Sequence, residues 1–163
     1  FVVLDAHMDL REEFHEERNS HACIPRHILE NVTRKYVSIG IRSGIREEYD
    51  YVRENGIKVF SADDVEAEGI EKIISGIRDY IKGPVYLSID MDAIDPAYAP
   101  ALGTPEPYGI TPRDVRAIIS CLAPDIVGFD LVEIAPAYDS GNTALLGAKL
   151  VRDFIMASAK ARL

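Results

Sequence analysis

The sequence predicts an α/β protein, a three-layer α/β/α sandwich built on a mostly parallel sheet. Short apolar runs alternate with helical patterns along all 163 residues, and this alternation is typical of strand–helix–strand units. A hydrophobic content of 47% and this length fit a single domain with its own core, spanning residues 1–163. Two acidic clusters directly follow apolar runs. They therefore lie at the carboxyl ends of predicted strands, where proteins with an open parallel sheet bind their ligands.

The elements follow in order along the chain. Strands are predicted at Phe1–Leu4, Tyr36–Gly40, Ile57–Ser61, Val85–Asp90 and Ile126–Glu133. Helices are predicted at Ile24–Arg34, Ile45–Asn55, Gly69–Lys82, a segment opening at Thr111-Pro112, and Gly141–Lys160. In the third helix, isoleucines recur on one face before Gly83-Pro84 ends it. In the fourth, Thr111 is a good N-cap and Pro112 a good first helical residue.

Composition and charge argue against several classes of function. The net charge of −9 disfavours nucleic acid and anionic membranes as partners and favours a cationic substrate. The sequence has no apolar run approaching the roughly 18 residues of a membrane span. Two cysteines, Cys23 and Cys121, suit a reduced, cytoplasmic protein better than a disulfide scaffold. The chain opens inside a predicted strand, so we expect it to continue something longer.

The first acidic cluster is Asp5-Ala-His7-Met-Asp9, after the strand Phe1–Leu4. A spacing of two along extended backbone points alternate side chains the same way, so the three can converge on a metal. A helix cap or a surface turn is the commoner explanation of such a cluster taken alone.

The second cluster, Asp90-Met-Asp92-Ala-Ile-Asp95, follows the strand Val85–Asp90. Three carboxylates after a buried run need a counter-charge, because unpaired buried charge costs several kcal/mol. Together the two clusters provide several carboxylates and one imidazole, an oxygen-rich set that suits Mg²⁺ or, with the histidine, Mn²⁺. The sequence therefore predicts a two-metal hydrolytic site.

The sequence pattern alone says less about the function of the other polar residues. His21 and His27 have no spacing that singles either one out. Glu133 ends an almost wholly apolar strand, which suggests a buried partner, and from the pattern alone a structural salt bridge with arginine is a better explanation than function. Cys23 has neither a second cysteine nor a base nearby in sequence, which argues against nucleophilic catalysis.

These residues carry a resemblance. Asp5-Ala-His-Met-Asp9-Leu-Arg and Ser88-Ile-Asp90-Met-Asp92-Ala-Ile-Asp95-Pro resemble the two metal motifs of the ureohydrolases, the arginase and agmatinase family. Ser20-His21-Ala is similar to the loop histidine motif between them. The segment from Gly128 through Glu133 to Asp139 resembles the motif of the guanidinium-binding glutamate, and Gly141-Asn-Thr-Ala-Leu-Leu resembles the helix start that follows it. Gly40-Ile-Arg42-Ser is closer to the agmatinase branch.

The resemblance implies an arginase-like fold and a role for each matched residue. Asp5 and Asp90 would bridge two Mn²⁺ ions, His7 and Asp92 would complete the ligands of one, and Asp9 would bind the other. A hydroxide bridging the metals would attack the guanidinium carbon. Glu133 would bind the guanidinium, and Asp9 would pass a proton to the leaving amine. His21 would contact substrate and shuttle protons at the mouth of the site, and Asp95 would orient the loop or a ligand.

The substrate implied is a small cationic guanidino compound, with agmatine, cleaved to urea and putrescine, as the first choice. Aminopropylagmatine, guanidinobutyrate and arginine are the alternatives. An acidic run, Glu12, Glu13, Glu16 and Glu17, would favour a dication if it lined the site, and a solvated surface segment explains it equally well. The family also implies a homo-oligomer, a trimer or a hexamer.

Two departures qualify these expectations. The family's earlier glycine-rich motif, which supplies one more histidine ligand, is absent along with the early N-terminal strands, so we expect one Mn²⁺ to bind well and the second weakly. A non-catalytic fragment retained for assembly is therefore an alternative, and a Zn²⁺ deacetylase of related fold is another. In the loop after the second motif, Ala101 and Tyr108 stand where the family usually has glycine.

Overall fold

A computed structural model describes residues 1–161. Five strands form one parallel sheet: β1 (Val2–Leu4), β2 (Val37–Ile41), β3 (Lys58–Ser61), β4 (Val85–Asp90) and β5 (Ile126–Val132). Six α-helices connect and follow them: α1 (Ile24–Asn31), α2 (Arg46–Asn55), α3 (Ala62–Glu68), α4 (Ile70–Tyr80), α5 (Pro112–Leu122) and α6 (Asn142–Ala161). Short 3₁₀ turns lie at His21–Cys23, Met91–Ala93 and Pro136–Tyr138.

The strand order is β3-β2-β1-β4-β5, so the two strands that precede the acidic clusters are neighbours. Val3 pairs with Ser88 and Leu4 with Ile89, which places the ends of β1 and β4 side by side. From β1 the chain continues to β2 and β3 on one side of the sheet, and it then crosses to β4 and β5 on the other side of β1. In open α/β folds, ligands bind in the crevice beyond the carboxyl ends of the strands at such a crossing point.

The core has two parts, one on each face of the sheet. The larger joins one face of β1, β2 and β4 to α3, α4 and α5, and includes Leu4, Ile39, Leu87, Ile77 and Ile118. The smaller joins the other face to α1 and α2, and includes Val3, Leu29 and Tyr36. The predicted three-layer α/β/α architecture is confirmed.

The predicted elements are present with shifted ends, and one was missed. Helix α1 ends at Asn31 rather than Arg34, and β5 ends at Val132, one residue before Glu133. The missed helix is α3, which was not predicted because its polar sequence has little apolar periodicity. Ser61 starts it, accepting a hydrogen bond from the Asp64 amide (3.0 Å) while Asp64 accepts one from the Ser61 amide (2.8 Å), a capping box.

One part of the sheet surface is open to solvent. Tyr86 on β4 and Val127 and Val132 on β5 are 41%, 75% and 43% exposed. Phe1 stacks on Tyr86, with ring centroids 5.2 Å apart, and partly covers this region. None of the helices within residues 1–161 combines the length and apolarity that a bilayer crossing requires.

Candidate metal centre and active site

The two acidic clusters meet at the ends of β1 and β4. His7 Nδ1 lies 2.8 Å from Asp92 Oδ2 and 3.6 Å from Asp5 Oδ1. One ligand atom from each of these three side chains lies within 4.8 Å of the others. The prediction that the clusters converge therefore holds for these three residues as a matter of geometry.

Backbone amides hold the carboxylates in place. The His7 amide donates to Asp5 Oδ1 (2.6 Å), and the Asp92 amide donates to Asp90 Oδ1 (2.9 Å). The Ala6 amide, from the first cluster, donates to Asp92 Oδ1 (3.0 Å) in the second. Each aspartate thus bonds to the turn that follows a strand, and one bond ties the two turns together.

Burial makes these carboxylates hard to ionise without a cation. Desolvation raises the pKa of Asp5 to about 7. Desolvation and the charges of Asp5 and Asp92 raise the pKa of Asp90 to about 10. Hydrogen bonding to Asp5 and Asp92 raises the pKa of His7 to about 10. Burial alone would raise the pKa of Asp92, but hydrogen bonds from His7 and the Ala6 amide bring it below its ordinary value.

This donor set fits a divalent metal. Asp5 and Asp92 are 6% and 2% exposed, and within residues 1–161 their ion-pair contacts are with His7 rather than with lysine or arginine. Two positive charges would satisfy the clustered carboxylates, and His7 would bind as the neutral imidazole through Nδ1. Carboxylate oxygens with one imidazole nitrogen suit Mn²⁺ or Mg²⁺.

The raised pKa values predict how the metal-free chain responds to pH. Asp5, Asp90 and His7 all bind protons more tightly when folded, so stability present at low pH is lost as pH rises from about 4 towards 10. We expect the free energy of unfolding to fall by at least about 2 kcal/mol between pH 5 and pH 9. Denaturant unfolding in chelator at these two pH values measures it. A free energy of unfolding that stays level or rises would contradict the prediction.

Asp9 lies beside this cluster on strained backbone. Its φ is +49°, a left-handed conformation that non-glycine residues seldom adopt and that often marks functional sites. The next amide, of Leu10, donates to Oε1 of the buried Glu48 (2.8 Å), which fixes the turn. Burial raises the pKa of Asp9 to about 6, the charge of His7 opposes this, and the charge of Glu48 adds to it.

A cavity of about 390 Å³ opens over the cluster. All seven residues predicted for the site line it: Asp5, His7, Asp9, His21, Asp90, Asp92 and Glu133. The four glutamates of the acidic run do not line it, and they are exposed. That run is therefore a solvated segment of the loop that leads to His21.

The structure places only one of the two histidines, His21 and His27, at the cavity. His21 opens the 3₁₀ turn after Ser20, its ring packs edge-on against Phe14 with centroids 5.6 Å apart, and it faces the cavity. A tight reversal at residues 14–17 orients this loop, with paired hydrogen bonds between Phe14 and Glu17. His27 lies outside the cavity, and its Nε2 is 2.7 Å from the Arg18 carbonyl.

Glu133 lies just beyond β5 and not in it. Its φ is +63°, so the chain turns at this residue, and the side chain is exposed at the cavity. Within the part of the chain that the structure describes, Glu133 forms no ion pair with arginine, so the salt-bridge alternative is not what holds it. A Cβ placed on Gly103 would be 3.7 Å from Glu133 Oε2, which shows that the loop after β4 passes close to this carboxylate.

That loop is held at both ends. The carboxylate of Asp95 accepts hydrogen bonds from the amides of Ala97 (2.8 Å) and Gly109 (2.9 Å), so Asp95 orients the loop as expected. The Ala101 amide donates to Thr143 Oγ1 (2.9 Å), and Thr143 Oγ1 in turn donates to Asp139 (2.8 Å) at the start of α6. The loop is therefore anchored to the helix that follows Glu133.

Of the two loop positions that depart from the family's glycines, only Tyr108 takes a left-handed backbone. Its φ is +67° and its side chain is 85% exposed, whereas Ala101 is buried with ordinary backbone. We expect Tyr108→Gly to stabilise the chain by about 0.5–1 kcal/mol, because glycine adopts this conformation without a Cβ clash and little packing is lost. Denaturant unfolding measures the change, with Tyr98→Gly, at an exposed position of ordinary φ, as the control that should destabilise.

Sequence reasoning gave no role to three residues that the site uses. Glu48 holds the turn at Asp9, and its position at the third residue of a helix was the available signal. Arg11 lines the cavity, with its guanidinium 4.8 Å from the centre of the Phe14 ring. Arg42 belongs to the motif Gly40-Ile-Arg42-Ser, but the sequence pattern did not indicate the hydrogen bonds that its side chain forms with distant backbone carbonyls.

Known proteins are similar to this chain in sequence and in fold. The family model described as the Arginase family matches residues 1–157. The chain belongs to the arginase family. It is 40% identical over 164 residues to a mitochondrial agmatinase of Gallus gallus, covering 94% of this chain and 48% of that protein. It is 37% identical over 162 residues to a guanidinobutyrase of Pseudomonas aeruginosa, covering 94% of this chain and 51% of that protein.

A solved structure agrees with the sequence relatives. The agmatine ureohydrolase of Thermoplasma volcanium superposes with a TM-score of 0.92 and is 45% identical, covering 98% of this chain and 54% of that one. This arginase-family chain therefore spans about half the length of the relatives it matches.

Proposed function

We propose that this arginase-family chain carries the metal-binding and guanidinium-binding part of a ureohydrolase, which cleaves a guanidino compound to urea and an amine. The observation that carries the proposal is the cavity in which the Asp5–His7–Asp92 cluster, Asp9, Asp90, His21 and Glu133 come together. The clustered carboxylates suit cations, and the separate carboxylate of Glu133 suits a guanidinium group.

Mn²⁺ is the metal we assign to the cluster. Asp5, His7 and Asp92 would hold one ion tightly, since their ligand atoms already lie within 4.8 Å of one another. Asp9 and Asp90 would share in holding a second ion, which binds more weakly because no comparable group of three surrounds it among residues 1–161. When bound, divalent cations of this kind lower the pKa of a water and so provide a nucleophile at neutral pH.

The chain's own residues would bind and orient the substrate. Glu133 would accept charge-assisted hydrogen bonds from the guanidinium nitrogens and hold the central carbon towards the carboxylate cluster. Asp9, which lies in the cavity next to the proposed metal site, would take up a proton and return it to the leaving amine. His21, exposed at the mouth, would exchange that proton with solvent.

Agmatine is the substrate we propose first. Support comes from the Gallus gallus agmatinase at 40% identity and from the Thermoplasma volcanium agmatine ureohydrolase at 45% identity. The experiment is urea release from agmatine by the Mn²⁺-loaded chain, with metal-free chain as the control. Urea that appears only with metal supports the proposal. The absence of urea from a chain that has bound Mn²⁺, for agmatine and for the other guanidino compounds alike, would contradict it.

Arg11 favours a second candidate, a guanidino acid such as guanidinobutyrate. Its guanidinium lines the cavity beside Asp9 and Phe14, and within residues 1–161 it has no carboxylate within 4.0 Å. A substrate carboxylate would pair with such a group, whereas the second amine of agmatine would be repelled by it. The guanidinobutyrase of Pseudomonas aeruginosa, at 37% identity, is a relative of this type.

Arg11→Gln distinguishes the two substrates. If Arg11 binds a carboxylate, kcat/KM for guanidinobutyrate should fall by about 10–100-fold, while kcat/KM for agmatine stays level or rises. Arg18→Gln, on an exposed arginine of the same loop, is the matched control. An equal fall for both substrates would show that Arg11 does not select the tail of the substrate.

A further inference from the structure

Arg42 lies at the end of β2 and reaches across both acidic clusters. Its backbone amide donates to the Ala6 carbonyl (2.8 Å), between Asp5 and His7. Its side chain extends to the second cluster, where Nη2 donates to the Asp92 carbonyl (2.8 Å) and Nη1 to the Ala93 carbonyl (3.3 Å). One residue thus contacts the turns after β1 and β4.

The same guanidinium holds the loop after β4. Nε donates to the carbonyls of Glu106 (3.2 Å) and Pro107 (2.9 Å), and Nη2 donates to Glu106 as well. Nη1 also donates to the Gly40 carbonyl (3.1 Å). All these acceptors are backbone carbonyls, so Arg42 organises the chain path rather than pairing with a charge.

The packing around this guanidinium is tight. A Cβ on Gly109 would lie 2.7 Å from Arg42 Nη2 and 2.8 Å from the Ala93 carbonyl. Glycine at 109 therefore leaves the space that the guanidinium occupies. Lysine could not replace it fully, since an ammonium lacks the planar five-donor geometry that reaches several carbonyls at once.

The loop that Arg42 holds also faces the Asp5–His7–Asp92 cluster. Oε1 of Glu106 lies 3.8 Å from Nε2 of His7, the ring nitrogen opposite the one that faces Asp92. Thr104 Oγ1 donates to Asp92 Oδ2 at 3.4 Å. By holding the carbonyls of Glu106 and Asp92, Arg42 also fixes the position of their side chains next to His7. Residues around a metal site that hold the ligands in this way affect how tightly the metal binds.

We infer that Arg42 is a positioning residue for the metal site, setting the Asp92 turn and the loop at residues 104–108 against His7 by hydrogen bonds to their backbone carbonyls. This inference rests on the proposed Mn²⁺ site. It assigns Arg42 no contact with the metal or the substrate, and its effect passes through Asp92, Glu106 and the loop.

The test compares Arg42→Met, Arg42→Lys and Gly109→Ala with the parent chain. Mn²⁺ affinity is measured by the electron paramagnetic resonance signal of free Mn²⁺, and amide hydrogen exchange of residues 100–110 by mass spectrometry. We expect Arg42→Met to weaken Mn²⁺ binding about 10–100-fold and to speed exchange in the loop, with Arg42→Lys intermediate. Gly109→Ala should act in the same direction, because its Cβ would collide with the guanidinium and with the Asp95 amide nitrogen, which would lie 2.5 Å away. Arg46→Met, on a side chain 91% exposed, is the control and should change neither quantity.

The outcomes separate this inference from the proposed function. Parent-like Mn²⁺ affinity in folded Arg42→Met would overturn the inference. If Arg42→Met fails to fold, Arg42→Lys and Gly109→Ala decide, and parent-like affinity in both would overturn it equally. A parent chain that binds no Mn²⁺ would overturn the proposed metal site and this inference with it, whatever the exchange of residues 100–110 shows.

Discussion

Replacing Asp90 by asparagine should abolish metal-dependent urea release, lowering kcat/KM by about 10³-fold or more, near 4 kcal/mol. Asp90 lies in the cavity with Asp5 and Asp92, and its pKa is raised to about 10 by burial and by their charges. Only a cation makes its ionised form favourable there, so asparagine removes a charge that metal binding needs.

The same substitution should have the opposite effect on the metal-free chain. Without metal, ionising Asp90 at pH 8 is unfavourable in the folded state, so Asp90→Asn should raise the free energy of unfolding by about 1–3 kcal/mol. Unfolding in chelator and in Mn²⁺, beside urea assays, measures both effects. Asp79→Asn, at an exposed position on α4, is the matched control. A variant that is less stable without metal, or that keeps its activity, would contradict the role assigned to Asp90.

Replacing Glu133 by glutamine should lower kcat/KM by about 10²–10⁴-fold while leaving Mn²⁺ affinity unchanged. Glutamine keeps the size of the side chain but removes the charge, and hydrogen bonds between charged partners contribute roughly 1.5–3 kcal/mol each. Glu133 is exposed to the cavity and forms no ion pair in the described part of the chain, so its charge is available to a guanidinium.

The measurement is steady-state kinetics with agmatine and guanidinobutyrate, beside a Mn²⁺ titration of the same preparation. Glu66→Gln, on the exposed face of α3, is the control. Glu133→Gln with unchanged kinetics would remove Glu133 from the substrate site. Loss of Mn²⁺ affinity together with activity would place Glu133 among the metal ligands instead.

How much could be predicted from sequence depended on how local each signal was. The strand-end positions of Asp5, His7, Asp90 and Asp92 follow from apolar runs and short spacings, and neighbouring strands bring them together. The match to family motifs pointed to His21 and Glu133, and both line the cavity. Pattern alone had not distinguished His21 from His27.

Other features depend on contacts that sequence spacing does not contain. The left-handed backbone of Asp9 belongs to a turn that is held by a distant partner, Glu48 from α2. Helix α3 is held by a capping box and by packing against β2 and β3 rather than by periodicity. Arg42 contacts carbonyls 50–65 residues away in sequence, so its role became apparent only in three dimensions.

The most direct test of the metal site is Mn²⁺ retained by the chain after equilibrium dialysis at pH 7.5, counted by elemental analysis for the parent and for Asp92→Asn. Asp92 is the residue whose two oxygens face His7 and the Ala6 amide. The geometry predicts one tightly held Mn²⁺ per parent chain and none in the variant. A parent chain that retains no Mn²⁺, or a variant that retains as much as the parent, would contradict the assignment of this cluster as a metal centre.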